Sequence, residues 1–380
     1  MALILLGSYM IRYPLGGNLA WALQWLYGFE QLGHRAYLVE RSLGWDCYNP
    51  ESGETGHDGS VGFRIVSQLL ERHGMAGRIA FQDVDGGFHG LPQAHVRDLF
   101  RAADLFIDMG SHGSWKEQAV NSRRQVLIDL EPGYNQMRLA LAQAAGTPLP
   151  HYDAYYTNGV SIPQRHPAVP DCGVLWKTVV NPIVVDMFPY SDPPSGGAFT
   201  TVMNWQAHAP LEYRGRCYGQ KDVEFAKFAG LPQRVAAPME IAVSGKRIPD
   251  ESLRAAGWRL RNAHEVSASF DSYRDYIQGS LGEFSVAKNV FVATRSGWFS
   301  DRSNCYLASG RPVVLQETGF SEYLPCGEGL FAVTDENEAA EAMGRITSDP
   351  VRHGRRAREI ATDLLDARVV LKRFLNENGI

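Results

Sequence analysis

Arg295, Ser296, Gly297, Arg302 and Ser303 crowd into one short stretch of the chain, and their residue types suit an anion. The apolar run Val290–Ala293 ahead of them reads as a strand, and a helix with its cap near Ser300 or Asp301 follows. A turn that leads from a strand into a helix N-terminus aims free backbone amides and the positive end of the helix dipole at one point. Arg295 and Arg302 could add bidentate charge there, and Ser296 and Ser303 hydroxyl donors. Lys288, just before that run, could reach a phosphate there; the plainer reading is a solvated lysine. After the next strand, Pro312–Leu315, comes Glu317-Thr318-Gly319. A carboxylate at such a strand end can accept hydrogen bonds from a vicinal diol; the plainer reading is a polar turn with Thr318 as a helix cap. A second titratable cluster is Asp108-Met109-Gly110-Ser111-His112-Gly113. An imidazole with an ordinary pKa near 6.5 can take a hydroxyl proton at neutral pH, so His112 is the candidate general base, with Asp108 to orient it.

These residues need a scaffold, and the chain reads as α/β throughout. Leu3–Leu6 is strand-like, the turn Tyr13-Pro14-Leu15-Gly16-Gly17-Asn18 follows, and Leu19 to Leu32 carries helical spacing up to Gly33. Ala36–Val39, Leu105–Ile107, Val126–Ile128 and Ala154–Thr157 continue the alternation of strands with amphipathic stretches that marks β-α-β units and a parallel sheet. Asp129 and Glu131 close one of these strands and suit either acceptor hydroxyls or a helix cap. Proline and glycine then crowd between Val180 and Gly197, which reads as a linker. Alternation restarts with Thr200–Met203, Ile241–Val243, Val313–Leu315 and Leu330–Val333, and from Asn337 onward the pattern is helical. The fold expected is two Rossmann-like units facing each other across a cleft. Their expected limits are residues 1–188 and 198–350, with 351–380 a terminal helix that packs back on the first unit.

Bulk properties narrow the function further. At 380 residues two domains are the natural expectation. A formal net charge of −5 gives no basic field for nucleic acid, so no nucleic-acid partner is expected. The basic cluster Arg352, Arg355, Arg356 and Arg358 reads as a solvated face. The five cysteines are scattered without a C-x-x-C pair, which argues against a zinc site or a disulfide framework and fits a reducing cytosol. No window approaches the roughly 18 apolar residues of a membrane span. A homodimer stays open.

Leu307-Ala308-Ser309-Gly310-Arg311-Pro312-Val313-Val314, behind the anion turn, resembles the donor half of GT-B glycosyltransferases of the bacterial family 1 and family 4 kind. The resemblance covers about residues 282–345, with weaker support from Gly16-Gly17 before the first helix and Gly33-His34 after it. It implies a nucleoside diphosphate sugar donor on the second unit and a small-molecule or glycan acceptor on the first, with no further cofactor. It places Gly16 and Gly17 near the donor phosphate. It also makes Arg214, in the loop 213–221 that ends in Lys221, a diphosphate ligand. The glutamate pair of many retaining members would fall at Gly297 and Cys305, so that pair is missing and the stereochemical outcome stays open. No D-x-D run occurs, which agrees with a site that needs no metal. The alternatives are a sugar-nucleotide epimerase of the same fold and a non-catalytic sugar-nucleotide sensor. A nicotinamide enzyme is disfavoured because the first unit lacks G-x-G-x-x-G.

Overall fold

The computed structural model describes all residues except 43, 45, 165–167 and 208. Two separate parallel sheets form the frame. The first holds β1 (Leu3–Gly7), β2 (Arg35–Arg41), β3 (Ile79–Gln82), β4 (Phe88–Gly90), β5 (Leu105–Asp108), β6 (Gln125–Asp129), β7 (Ala154–Thr157) and β8 (Trp176–Thr178). Their spatial order is β8-β7-β6-β5-β1-β2-β3-β4, parallel except for the hairpin pair β3–β4. The second holds β9 (Phe199–Asn204), β10 (Met239–Ser244), β11 (Arg259–Asn262), β12 (Gly282–Ser285), β13 (Val313–Gln316) and β14 (Leu330–Val333), in the order β11-β10-β9-β12-β13-β14. Each sheet winds in both directions from its first strand. That creates a switch point beside the C-terminal ends of β1 and β5, and another beside β9 and β12, the crevices where open α/β sheets bind ligands.

The strands form for the expected reason. Ile4, Leu5 and Leu6 of β1 are all fully buried, as central strands covered on both faces require. One expectation fails. Val290–Ala293 is not a strand but lies in the helix Asn289–Ala293, and the strand of that unit is β12, Gly282-Glu283-Phe284-Ser285. A short apolar run fits either period. The true strand is masked by a charged residue, Glu283, whose carboxylate is buried and paired inside the sheet.

The Pro/Gly-rich stretch 180–197 does connect the two sheets, yet it is no loose tether. Ile183 and Phe188 are fully buried, Ile183 N–H donates to Leu365 O at 2.8 Å, and Ala367 N–H donates to Ile183 O at 2.8 Å. The last helix, Ala367–Glu377, lies on the first helix, Gly16–Gln31: the Trp25 and Phe374 rings meet edge to face at 5.6 Å. Among the described residues no helix is long and apolar enough to cross a membrane.

Gly16 and Gly17 open the first helix in different surroundings. A Cβ on Gly16 would sit 2.3 Å from Tyr273 Cβ in the helix Phe270–Gln278, whereas one on Gly17 would meet nothing within 4 Å. Gly16→Ala should therefore destabilise the fold by about 1–3 kcal/mol through overpacking. Gly17→Ala should be neutral or stabilising by up to about 1 kcal/mol through helix propensity. Thermal unfolding of the two variants checks the pair, and equal melting temperatures would contradict the packing described.

Candidate active site

A cavity of about 190 Å³ opens between the C-terminal strand ends of the two sheets. Tyr9 reaches it from the end of β1, Leu130 and Glu131 from the end of β6, and Asn158 from the end of β7. Asn18 and Trp21 come from the first helix. The second sheet contributes Lys221, Lys288, Phe291, Trp298, Ser300, Asp301 and Arg302 from the segments after β9 and β12, and Asn181 comes from the connection. The walls thus combine aromatic faces with amides, two carboxylates and three cations.

The three cations differ in how they are held. Arg302, in the first turn of the helix Asp301–Ala308, donates from Nε to Glu283 at 2.6 Å and from Nη1 to Val202 O at 2.9 Å. Glu283 is fully buried, so this guanidinium is fixed by the sheet beneath it. Lys288 Nζ donates to both oxygens of Glu131, at 2.5 and 2.6 Å, and so ties the second sheet to the first across the cavity. Lys221, the first residue of the helix Lys221–Phe225, has no carboxylate within ion-pair distance among the described residues. Burial, with Arg302 and then Lys288 adding like charge, pushes its ammonium down to about 7. Asp301 faces the same space, and burial raises its carboxyl against the opposing pull of Arg302. Asn158 is 4% exposed, and its Oδ1 has no partner among the described residues, which leaves an unpaired acceptor on a residue of the cavity lining.

Of the residues expected from sequence, Lys288, Arg302 and Glu131 line this cavity, and the candidates taken up below do not. Ser296 and Ser303 are fully buried behind its wall. Gly297 has φ +74, and a Cβ there would meet Ser161 N and Oγ at 2.7 Å, so the turn is filled by the first unit's loop and not by a ligand. Ser161 N–H donates to Ser296 O at 3.0 Å, and Gly297 N–H to Thr318 O at 2.7 Å. Thr318 Oγ1 donates to Trp298 O, and Glu317 folds back on the amide of Gly319. Glu317, Thr318 and Gly319 therefore brace the Trp298 wall from behind.

The remaining expected residues lie outside this lining for equally local reasons. Arg214 sits at the tip of the hairpin Leu211–Tyr213/Arg216–Tyr218, exposed and stacked over the Tyr213 ring at 5.2 Å; Lys221, at the other end of that loop, is the residue that reaches the cavity. Gly16 is packed against Tyr273, and Gly17 faces open space outside the cavity lining. Asp108 is fully buried and accepts from Ser111 N, Gly113 N and Tyr152 Oη at 3.0, 2.7 and 2.6 Å, so it holds its own turn closed. His112, in that turn at φ +51, is exposed and outside the cavity lining. Asp129 is likewise consumed internally by Asn135, Gln136 and Thr157. Glu131, two residues on, is the carboxylate that reaches the cavity.

No protein-family model and no curated protein matches the sequence. Solved structures match along its length. HepE of Anabaena, solved in complex with UDP and glucose, superposes with a TM-score of 0.57 at 13% identity over 99% of each chain. An alpha-glucosyltransferase (AGT) in complex with UDP gives 0.60 at 11% identity over 100% of both chains. A glycosyltransferase from Rickettsia africae ESF-5 gives 0.56 at 10% identity, covering 99% of this chain and 97% of the other. The fold is GT-B. What the chain shares with these proteins at such identities is that GT-B fold, and the cavity lies where its two sheets face each other. An alpha-glucosyltransferase has also been solved with UDP and a 13-mer DNA.

The different anchoring of the cations has a measurable consequence. Arg302→Ala strands the buried Glu283 charge and should cost about 3–5 kcal/mol. Lys221→Met removes a cation without an ion-pair partner and should leave the melting temperature at pH 8 unchanged or higher. Comparable losses in both variants would show that Lys221 has a structural partner after all.

Proposed function

We propose that this chain transfers a glycosyl group from a nucleoside diphosphate sugar to an acceptor hydroxyl of a small molecule or glycan. The observation that carries the reading is the Lys221, Lys288 and Arg302 cluster around an interlobe cavity, with no carboxylate within ion-pair distance of Lys221 among the described residues. Three cations held close in a partly desolvated space repel one another, and a diphosphate relieves that repulsion. UDP in the HepE and alpha-glucosyltransferase structures supports a nucleotide ligand for this fold. In the proposed arrangement residues 198–350 hold the donor and residues 1–188 the acceptor, with 351–380 returning to the first unit.

The chemistry follows from the placement. As the anomeric carbon leaves the diphosphate, negative charge grows on the departing oxygen, and preorganised cations that meet this charge lower the barrier. Lys221 and Arg302 take that role, so leaving-group stabilisation falls to side chains and transfer should survive EDTA. Trp21 and Trp298 offer faces for a sugar ring, and Asn158 Oδ1 an acceptor for one of its hydroxyls.

A thermal-shift panel of UDP, GDP, ADP and dTDP with their glucose conjugates tests the reading. Ligand that binds only the folded state at about 100 times its Kd adds about 2.7 kcal/mol of stability. One nucleotide series should raise the melting temperature of the wild type and fail to do so in Lys221→Met. The sign of the pH dependence follows from Lys221. Below about pH 7 its ammonium is already charged in the empty cavity, so binding takes up no proton and affinity is flat. Above about pH 7 the diphosphate must draw a proton onto it, so affinity falls as pH rises. Calorimetry in buffers of differing ionisation enthalpy should show proton uptake at pH 8 and little at pH 6. Absence of any nucleotide-dependent shift would overturn the proposal.

A further inference from the structure

Transfer releases a proton from the acceptor hydroxyl, and the cavity offers few groups to take it. His112 stands outside the lining. Burial lifts the Tyr9 phenol far above neutrality, and Asp301 sits on the donor side beside Arg302. Glu131 remains. It projects from the end of β6 in the unit assigned to the acceptor, and its side chain keeps 29% exposure. Both of its oxygens are engaged by Lys288 Nζ, at 2.5 and 2.6 Å. A carboxylate gripped in this way has given a lone pair of each oxygen to the ammonium, which crowds an incoming hydroxyl and competes with it for the remaining acceptor sites.

Lys288 shares the cavity with Lys221 and Arg302, the cations assigned to the diphosphate. A diphosphate seated there offers Lys288 a second anion carrying more charge than one carboxylate. We propose that Glu131 is the proton acceptor for the incoming hydroxyl, and that Lys288 masks it until the donor diphosphate draws Lys288 away. This rests on the donor reading above and adds an order to it: donor first, then a competent base. In the transfer step the acceptor oxygen bonds to the anomeric carbon while that carbon's bond to the diphosphate oxygen breaks. The bonding pair stays on the diphosphate, the hydroxyl proton moves to Glu131, and water takes it up when products leave. The cavity of about 190 Å³ is smaller than the roughly 300–1,000 Å³ of typical ligand pockets, and a donor that displaces the Glu131–Lys288 bond gains the space that bond now spans.

Glu131→Gln separates the two roles, because it keeps the shape and removes the charge. UDP is the probe for binding, with GDP and dTDP as parallel arms, and the glucose conjugate with water as acceptor is the probe for turnover. The variant should bind the nucleotide at least about fivefold more tightly than the wild type, since Lys288 is already free. Its single-turnover cleavage of the donor should fall at least about 100-fold, within the range for loss of a general base. Lys288→Met should show the opposite binding change, a weaker nucleotide affinity. Unchanged or weaker nucleotide binding by Glu131→Gln overturns the masking role, and wild-type turnover overturns the proton-acceptor role. A wild type that binds none of the three nucleotides takes down the donor reading and this inference together. Binding by the wild type with no gain in the variant defeats this inference alone.

Discussion

The cost of gathering positive charge in a partly desolvated space organises this molecule's cleft. Lys221, Lys288 and Arg302 meet at the switch points of two parallel sheets, where backbone geometry already collects strand ends and helix starts. The fold tolerates two of them by giving each a carboxylate, Glu283 beneath Arg302 and Glu131 across from Lys288. Lys221 has none within ion-pair distance among the described residues, and burial, with like charge from Arg302 and Lys288, makes its ammonium easier to deprotonate. In the proposed reading a nucleoside diphosphate balances that charge.

Behind this charged surface lies a layer of tight backbone contacts. The turn 295–298 is pressed between the loops 159–161 and 317–319, with Gly159 and Trp298 bridged directly. Gly297 and Gly319 both adopt positive φ; a Cβ on Gly297 would strike Ser161 N at 2.7 Å, and one on Gly319 would crowd Arg295 O at 3.0 Å and Ser161 Oγ at 3.3 Å. These glycines allow one unit to approach the other closely, which holds the Trp298 face and the first turn of the helix Asp301–Ala308 in place. Precise placement of cations requires such a support, because a displaced charge loses much of its value toward a developing anion.

Much of the frame was legible in the sequence, and the site much less so. Ala154–Thr157 and Leu330–Val333 coincide with observed strands because uninterrupted apolar runs between turn residues leave little choice. β12 escaped because Glu283 makes it look solvent-exposed, and only Arg302, nineteen residues away, explains the buried charge. The residue types at 295–303 suggested an anion-binding segment, yet spacing alone could not tell lining from bracing. Ser296 and Gly297 turn inward, while Trp298, Ser300 and Asp301 face the cavity. Arg214 and Lys221 bracket one loop, and which of the two reaches the cleft depends on a hairpin whose tip carries Arg214 away. Glu131 gains its significance from Lys288, a contact between units that no local pattern encodes.

The most direct test of the charge-cluster account is a crystal structure with a bound nucleoside diphosphate, taken from whichever nucleotide series stabilises the protein. The account predicts phosphate oxygens within hydrogen-bond distance of Lys221 Nζ and of Lys288 Nζ, with the Glu131–Lys288 contact broken. A nucleotide lying elsewhere, with Lys221 still unpartnered and Glu131 still on Lys288, would contradict it.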